Sequence, residues 1–318
     1  MSEEKEAKKI IRRAQKAYFT TCSCSLTQLI PFQEAFNIID NDILKAAVGL
    51  SGGLFMKGST CGVVFSGALT LAMLMDKELS EWKPVDEITL HSKIKDFFKW
   101  FQEKYGTTLC NERTKLNLET RRGFLSLFLP RKLYICVSHT GGTSRYLFEN
   151  KDKRAVIKNF KDSHSINSFH CAKHVLQKIR ERTGIGNDTL ERISIALDGG
   201  LGLQGDACGA IAGAVMAIGL KLAKNMRNSN MVSNLGTFLL SPRKVRKQTS
   251  FDDFYSLGGK LMDSIMEITD SLECRNIINR KFEDREDFQK FGNSESSLKC
   301  RKLIDFVFSK TSELLTHD

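Results

Sequence analysis

Eight of the nine cysteines in this 318-residue chain fall into two sets of four with matched spacing. In each set the first two cysteines are 37 residues apart and the last two are 26 apart, and only the middle interval differs, at 49 and 66 residues. The sets are Cys24, Cys61, Cys110 and Cys136, and Cys171, Cys208, Cys274 and Cys300. Two sets with the same spacing indicate a tandem duplication in which both copies keep their cysteines. Retained cysteines favour thiol or metal chemistry.

A shift of 147 residues aligns the copies without a gap from Cys24 to Leu69 and gives eleven identical positions. They include the Gly-Gly pair at Gly52-Gly53, which recurs as Gly199-Gly200. We therefore predict a first repeat over residues 1–147 and a second over 148–318. The second copy has 17 extra residues, and its polar, basic stretch near 225–250 is typical of a surface loop insertion.

The apolar periodicity predicts an all-α fold of two tandem pseudo-symmetric helical bundles. Asp40 and Asn187 are predicted helix N-caps, and Ser59 and Asp206 are predicted to cap the helices at the second cysteines. Only 132–138 and 193–198 could be strands. Helices are predicted over 5–19, 24–37, 61–75, 92–105, 172–183, 208–224, 252–270 and 297–315.

Charge and composition limit the classes of partner. The net charge is +11, but no recognisable nucleic-acid motif accompanies the basic clusters, so we expect no specific nucleic-acid partner. The longest apolar stretch, 207–220, is too short to span a bilayer, and the N-terminus does not resemble a signal peptide. We expect a cytoplasmic protein, monomeric as an internal pseudo-dimer. The basic surface suits an acidic redox partner protein, whose identity the sequence leaves open.

The second cysteine of each set begins a predicted helix, where free N–H groups and the helix dipole favour thiolate over thiol. Four thiolates from four separate elements suit an iron–sulfur cluster, and we prefer [2Fe–2S] to [4Fe–4S]. Zinc is the alternative, although neither set contains the short Cys-x2–4-Cys pair that zinc usually recruits. A third interpretation is that the cysteines bind nothing and only pack in the core.

The pattern resembles the C-GCAxxG-C-C family, whose members are described as redox-active. In the second copy the resemblance runs through Cys171, Gly199-Gly200 and the block 208–213 to Cys274 and Cys300. The first copy departs further, because bulky Val63 and Phe65 stand in its block. The resemblance implies that all eight paired cysteines are cofactor or metal ligands. Similar domains are joined to haem-binding segments in split-Soret-type cytochromes, but this chain has no Cys-x-x-Cys-His for covalent haem.

Three further signals are weaker. Residues 200–205 spell G-x-G-x-x-G, but no acidic residue follows at the spacing of a dinucleotide site. His170 and His174 flank Cys171, yet the first copy has Ser23 and Thr27 there, so we interpret them as an ordinary histidine pair. Cys22 is interpreted as a spare thiol or a resolving partner for Cys24.

The leading hypothesis is therefore an electron carrier with an iron–sulfur cluster in at least the second repeat. The alternatives are a dithiol–disulfide oxidoreductase that uses the same cysteines and a zinc-binding or structural scaffold. Because Val63, Phe65 and Ser66 stand where the second copy has small residues, we expect the first site to be crowded and the second to be better formed.

Overall fold

The computed structural model describes residues 3–153, 168–227, 229 and 250–316, and its regular elements there are helices, with no β-strand. The prediction of an all-α fold built from two repeats is confirmed. The helices of the first repeat are α1 (Glu3–Thr21), α2 (Leu29–Phe36), α3 (Asn41–Ala47), α4 (Gly62–Glu78), α5 (Pro84–Tyr105), α6 (Cys110–Thr114), α7 (Arg121–Ser126) and α8 (Pro130–Glu149). Those of the second are α9 (Cys171–Thr183), α10 (Asp188–Ile193), α11 (Gly209–Leu222), α12 (Ser250–Met266), α13 (Cys274–Ile278), α14 (Arg285–Gly292) and α15 (Leu298–Thr316).

Several predicted boundaries change. Both predicted strands are wrong: 132–138 lies within α8, and Ser194–Leu197 is a short 3-10 helix. The segment after Cys24 is a 3-10 turn, Cys24–Leu26, followed by α2. Most of the predicted insertion at 225–250 lies outside the described residues.

The two repeats interlock through their most buried helices, α4 and α11. Helix α11 packs on α9 of its own repeat and on α3 of the first, and α4 packs in turn on α10 of the second. Glycines allow this contact, because a Cβ on Gly219 would lie 2.6 Å from the Lys45 carbonyl oxygen and one on Gly213 would lie 2.9 Å from that of Ala172. The Gly- and Ala-rich helix α11 therefore packs closely against the backbone of both repeats.

Each Gly-Gly pair opens a left-handed turn. All five residues at 52–56 and all five at 199–203 have positive φ, although left-handed backbone costs roughly 1–2 kcal/mol for each residue other than glycine. Matching hydrogen bonds close the turns, from the Gly58 N–H to the Gly52 carbonyl and from the Gly205 N–H to the Gly199 carbonyl, both 3.0 Å. The G-x-G-x-x-G at 200–205 is part of this turn and follows a 3-10 helix, so the context of a dinucleotide site is missing.

The predicted caps are partly right. Asp40 and Asn187 cap α3 and α10 through their side chains, as predicted. Ser59 and Asp206 do not cap α4 and α11, whose N-cap residues are Cys61 and Cys208. They join the repeats instead.

The contact between the repeats at this point is polar and buried. The Ser59 hydroxyl donates to Glu273 at 2.7 Å, and the fully buried Asp206 carboxylate accepts from the hydroxyls of Thr60 and Thr108. Burial raises the pKa of Asp206, while the Thr108 hydrogen bond and the Arg275 charge act in the opposite direction.

Replacing Asp206 with alanine should destabilise the whole chain, because it leaves two buried threonine hydroxyls without their acceptor. We expect a loss of about 1–3 kcal/mol in the free energy of unfolding, measured by urea denaturation. Asp263→Ala is the matched control, since the side chain of Asp263 is 71% exposed in its ion pair with Lys57. Equal effects of the two substitutions would show that the buried contact does not hold the repeats together.

Candidate functional site

The second and third cysteines of each set are held side by side by an isolated two-residue bridge. Thr60 pairs with Leu109 in the first repeat and Ala207 with Glu273 in the second, and a cysteine follows each of these four residues. The Cys61 N–H donates to the Thr108 carbonyl and the Cys110 N–H to the Ser59 carbonyl, both at 2.8 Å. The second repeat has the same pattern, with Cys208 donating to Leu272 at 2.8 Å and Cys274 to Asp206 at 2.6 Å.

The first cysteine of each set lies against the glycine that follows the second. A Cβ built on Gly62 would be 2.4 Å from the Cys24 sulfur, and one on Gly209 would be 2.6 Å from the Cys171 sulfur. Both distances are below any normal contact, so only glycine leaves room for the sulfur at the start of α4 and α11. This steric requirement explains why glycine follows the second cysteine in both repeats.

The fourth cysteine comes from a long helix, Cys136 from α8 and Cys300 from α15. In both repeats this helix continues well beyond the cysteine. All four cysteines of the first set, together with Cys22, line one cavity of about 380 Å³. The expected crowding is not found, because Val63 only borders this cavity and Phe65 is fully buried in the core.

In the second set all four cysteines are buried, with exposed fractions of 4–7%. The pKa of Cys171 is well above its ordinary value, first because of burial and then through the charges of Asp198 and of the other three thiols. The pKa of Cys274 is also raised by burial and by Cys208 and Cys300. The bridge places Cys208 beside Cys274, and the contact with Gly209 places the Cys171 sulfur beside the start of α11.

Burial also raises the pKa of thiols in the first set. Burial is the largest cause that raises the pKa of Cys24 to about 12 and that of Cys136 to about 11, and the charge of Cys61 adds to both. At Cys208, burial raises the pKa although the N–H groups of Ala210 and Ile211 lower it. Burial therefore outweighs the helix N-terminus at Cys208, where the sequence had suggested a thiolate.

A buried ionic network borders Cys171 and has no equivalent in the first repeat. The Asp198 carboxylate accepts from the Cys171 N–H at 3.0 Å and lies 2.7 Å from His170 Nδ1. Arg285 joins this network through Glu87, which belongs to α5 of the first repeat. The positions that match His170 and Asp198 are Ser23 and Ser51, whose hydroxyls are 2.7 Å apart.

This network was missed by sequence reasoning, which treated His170 and His174 as an ordinary pair. The mismatch between Asp198 and Ser51 within otherwise matched repeats was the available signal. Although burial opposes it, Asp198 raises the pKa of His170, whereas burial lowers the pKa of His174. The two histidines therefore lie in different electrostatic environments.

In the part of the chain that the structure describes, no group of three or more His, Cys, Asp or Glu side chains is arranged to hold one metal ion. A zinc ion needs its sulfurs on one centre at about 2.3 Å each. A [2Fe–2S] or [4Fe–4S] cluster shares four cysteines among its irons.

The two repeats thus interlock, and each contributes a set of four cysteines from four separate elements. The profile of the family described as "Putative redox-active protein (C_GCAxxG_C_C)" matches residues 22–147 and 169–314, and the chain belongs to this family. A protein of Archaeoglobus fulgidus described as uncharacterized is 22% identical over 113 residues, which cover 34% of this chain and 75% of that protein. No solved structure matches the chain. Among the described helices, none has the length and apolarity needed to cross a membrane.

Replacing Gly209 with alanine should disturb the second set specifically, because the new methyl group would displace the Cys171 sulfur or the Leu197 carbonyl oxygen at 2.5 Å. We expect Cys171 to react faster with a thiol-labelling reagent, as measured by mass spectrometry of the labelled peptides. Gly259→Ala is the matched control, since a Cβ there meets nothing within 4 Å. Unchanged labelling of Cys171 in Gly209→Ala would contradict the packing argument.

Stability should fall on acidification in two stages. Burial, followed by the Arg285 charge, lowers the pKa of His91 to about 4. The contribution of the neutral His91 ring to the free energy of unfolding is therefore complete above pH 6.5 and is lost as the pH falls towards 4. Burial alone would raise the pKa of Glu87, but His170 and Arg285 lower it to about 2. The contribution of the Glu87 carboxylate to the free energy of unfolding is therefore lost as the pH falls below 4.5.

Urea unfolding at pH 7.5, 5.5 and 4.5 tests the first stage. We expect His91 to contribute a slope of up to about 1.4 kcal/mol per pH unit between pH 6.5 and 4, and His91→Phe to flatten it. A His91→Phe profile that parallels that of the unaltered chain would contradict the assignment.

Proposed function

We propose that the protein is an electron carrier that holds an iron–sulfur cluster in the second repeat, with Cys171, Cys208, Cys274 and Cys300 as ligands. The equivalent ligands in the first repeat are Cys24, Cys61, Cys110 and Cys136. We prefer a [2Fe–2S] cluster to [4Fe–4S]. When bound, such a cluster supplies a one-electron carrier whose potential depends on burial and on hydrogen bonds to its sulfurs.

The observation that carries the proposal is that four thiols drawn from four elements line one cavity in the first repeat, and that the four matching thiols are all buried in the second. Because the pKa values of these thiols are raised, ionising all four would be unfavourable in free energy unless a bound cation compensated the negative charge. Iron supplies that charge. The same pKa shifts argue against rapid thiol–disulfide exchange, which needs accessible thiolate.

The chain's own residues would tune the site. In the second repeat the Asp198 carboxylate, 3.4 Å from the Cys171 sulfur, would make the surroundings of the cysteines more negative. In the first repeat Ser51 takes its place, and the Arg113 charge acts to lower the pKa of Cys110 and Cys136. Burial excludes water and small oxidants more completely from the second set, in which every cysteine is buried.

A partner protein with an acidic surface would dock on α1. Its exposed side carries Lys5, Lys8, Lys9, Arg12 and Lys16, and these residues border a shallow groove. The end of the same helix carries Tyr18, which lines the same cavity as Cys136. A partner on this surface would therefore lie close to the first set.

A dithiol–disulfide oxidoreductase is the second candidate, and one observation favours it. Cys22 is half-buried and lines the same cavity as Cys24, so an extra thiol is within reach of the first set. In that case, oxidation would join two thiols as a disulfide, with two electrons passing to an acceptor and two protons to water.

Anaerobic purification followed by iron, sulfide and zinc analysis distinguishes these functions. We expect iron and acid-labile sulfide in equal amounts, with visible absorption that bleaches on reduction. Stoichiometric zinc without iron would support the scaffold. Metal-free protein whose thiols cycle reversibly with disulfides would support the oxidoreductase.

Cys208→Ser should remove more bound iron than Cys61→Ser, because the second set is fully enclosed and the first opens on a cavity. Iron content per chain, with circular dichroism to verify folding, provides the measurement. Cys22→Ser is the matched control and should retain its iron. Equal losses at Cys61 and Cys208, or a larger loss at Cys61, would contradict the assignment of the main site to the second repeat.

A further inference from the structure

The cavity beside the first cysteine set extends well beyond the thiols. Its volume of about 380 Å³ lies within the range of small-molecule sites, roughly 300–1,000 Å³. Away from the cysteines its walls are almost entirely apolar and come from the loop before α7, from α7, and from the start of α8. The apolar lining includes Leu118, Phe124, Leu125, Leu127, Phe128 and Leu133.

The second repeat fills the equivalent space with aromatic rings. Because the third and fourth cysteines have the same spacing in both repeats, the segments between them align without a gap. In this alignment Leu118 matches Phe282 and Leu127 matches Phe291, and the 147-residue shift matches Cys22 to Phe169. In the second repeat these phenylalanines pack around Phe288, with ring centroids 4.9 Å apart for Phe282 and 5.3 Å apart for Phe169.

The first repeat keeps an aromatic residue at only one of these four positions, Phe124, which matches Phe288. Since the second set brings its four cysteines together without this space, the cavity is not a requirement of the cysteine cluster. It results from three smaller side chains at matched positions.

The cavity also contains a cation. Among the cavity-lining residues that the structure describes, Arg113 is the one lysine or arginine, and none is an aspartate or glutamate. The guanidinium lies over the rings of Phe101 and Tyr105, 4.6 and 5.3 Å from their centroids, and contacts His139. The positions that match Arg113 and His139 are Ile277 and Leu303, both buried. The pair Arg113 and His139, like the cavity itself, is thus a feature of the first repeat.

The entrance is apolar as well. Leu125, which lines the cavity, is 48% exposed, and the neighbouring Leu129 and Tyr134 are 57% and 73% exposed. Exposed apolar side chains that cluster on one short segment are typical of a ligand entrance.

We propose that the first repeat binds a small organic molecule with an apolar, ring-containing body and one anionic group. The body would occupy the space between α7 and α8, and the anion would pair with Arg113. Binding of this ligand does not require metal, so the proposal is independent of the iron–sulfur assignment.

Two fluorescent probes with the same body test it. The anionic probe is 8-anilinonaphthalene-1-sulfonate, and the neutral one is N-phenyl-1-naphthylamine, which lacks the sulfonate. We expect both to bind saturably with one equivalent per chain. Arg113→Gln should weaken binding of the sulfonate roughly tenfold or more and leave the neutral probe within about twofold, because a charge-assisted hydrogen bond is lost.

Leu118→Phe combined with Leu127→Phe copies the second repeat and should abolish binding of both probes. Arg280→Gln is the matched control, because Arg280 also lies over two aromatic rings, Phe282 and Phe291, but in the second repeat. It should change neither affinity.

Three results would overturn the proposal: no saturable binding, an Arg113→Gln effect of equal size on both probes, or unchanged binding in a folded Leu118→Phe, Leu127→Phe chain. Should that double variant fail to fold, the comparison of the two probes on Arg113→Gln decides alone.

Discussion

The pair of backbone hydrogen bonds across each isolated bridge is the interaction on which both cysteine sites depend. Cys61 and Cys110 each donate an N–H to the segment that precedes the other, and Cys208 and Cys274 do the same. Because these segments come from distant parts of the chain, the bridge fixes the start of α4 or α11 beside the start of a short helix. The left-handed turn that precedes the bridge brings the chain into position, and Gly62 or Gly209 then admits the sulfur of the first cysteine. Cluster ligation and thiol exchange would both start from this arrangement.

The two repeats share this scaffold but differ in what surrounds it. The second repeat packs four phenylalanines against one another at the positions matched to the cavity and places a buried carboxylate beside Cys171. The first has hydroxyl groups in place of that carboxylate and leaves a cavity with an arginine. Duplication therefore produced two sites with different charged groups beside the cysteines, and the cross-packing of α3 on α11 and α10 on α4 holds them in one unit. We expect the enclosed site to store electrons and the open site to meet partners.

The helical fold and the grouping of the cysteines were predictable because duplication supplies an internal alignment. Two matched spacings restrict the register much more strongly than apolar periodicity alone. The strand assigned to 193–198 was wrong because a short apolar run does not distinguish a strand from a buried helical turn. Ser59 and Asp206 have the composition of N-caps, but their side chains bond across the repeats, which no local pattern can reveal. The cavity was hidden for a related reason, since it depends on which of the matched side chains are smaller, and Phe65, which attracted attention in the sequence, points into the core.

The central claim is that each repeat gathers its own four cysteines at one point, and trivalent arsenic tests it directly. Phenylarsine oxide joins two nearby thiols, so the reduced protein, freed of metal, can be treated with it, digested and mapped by mass spectrometry. The account predicts arsenic bridges within the set of Cys24, Cys61, Cys110 and Cys136 and within the set of Cys171, Cys208, Cys274 and Cys300, with none between the sets. Bridges that join the two sets, or single-thiol adducts alone, would contradict it.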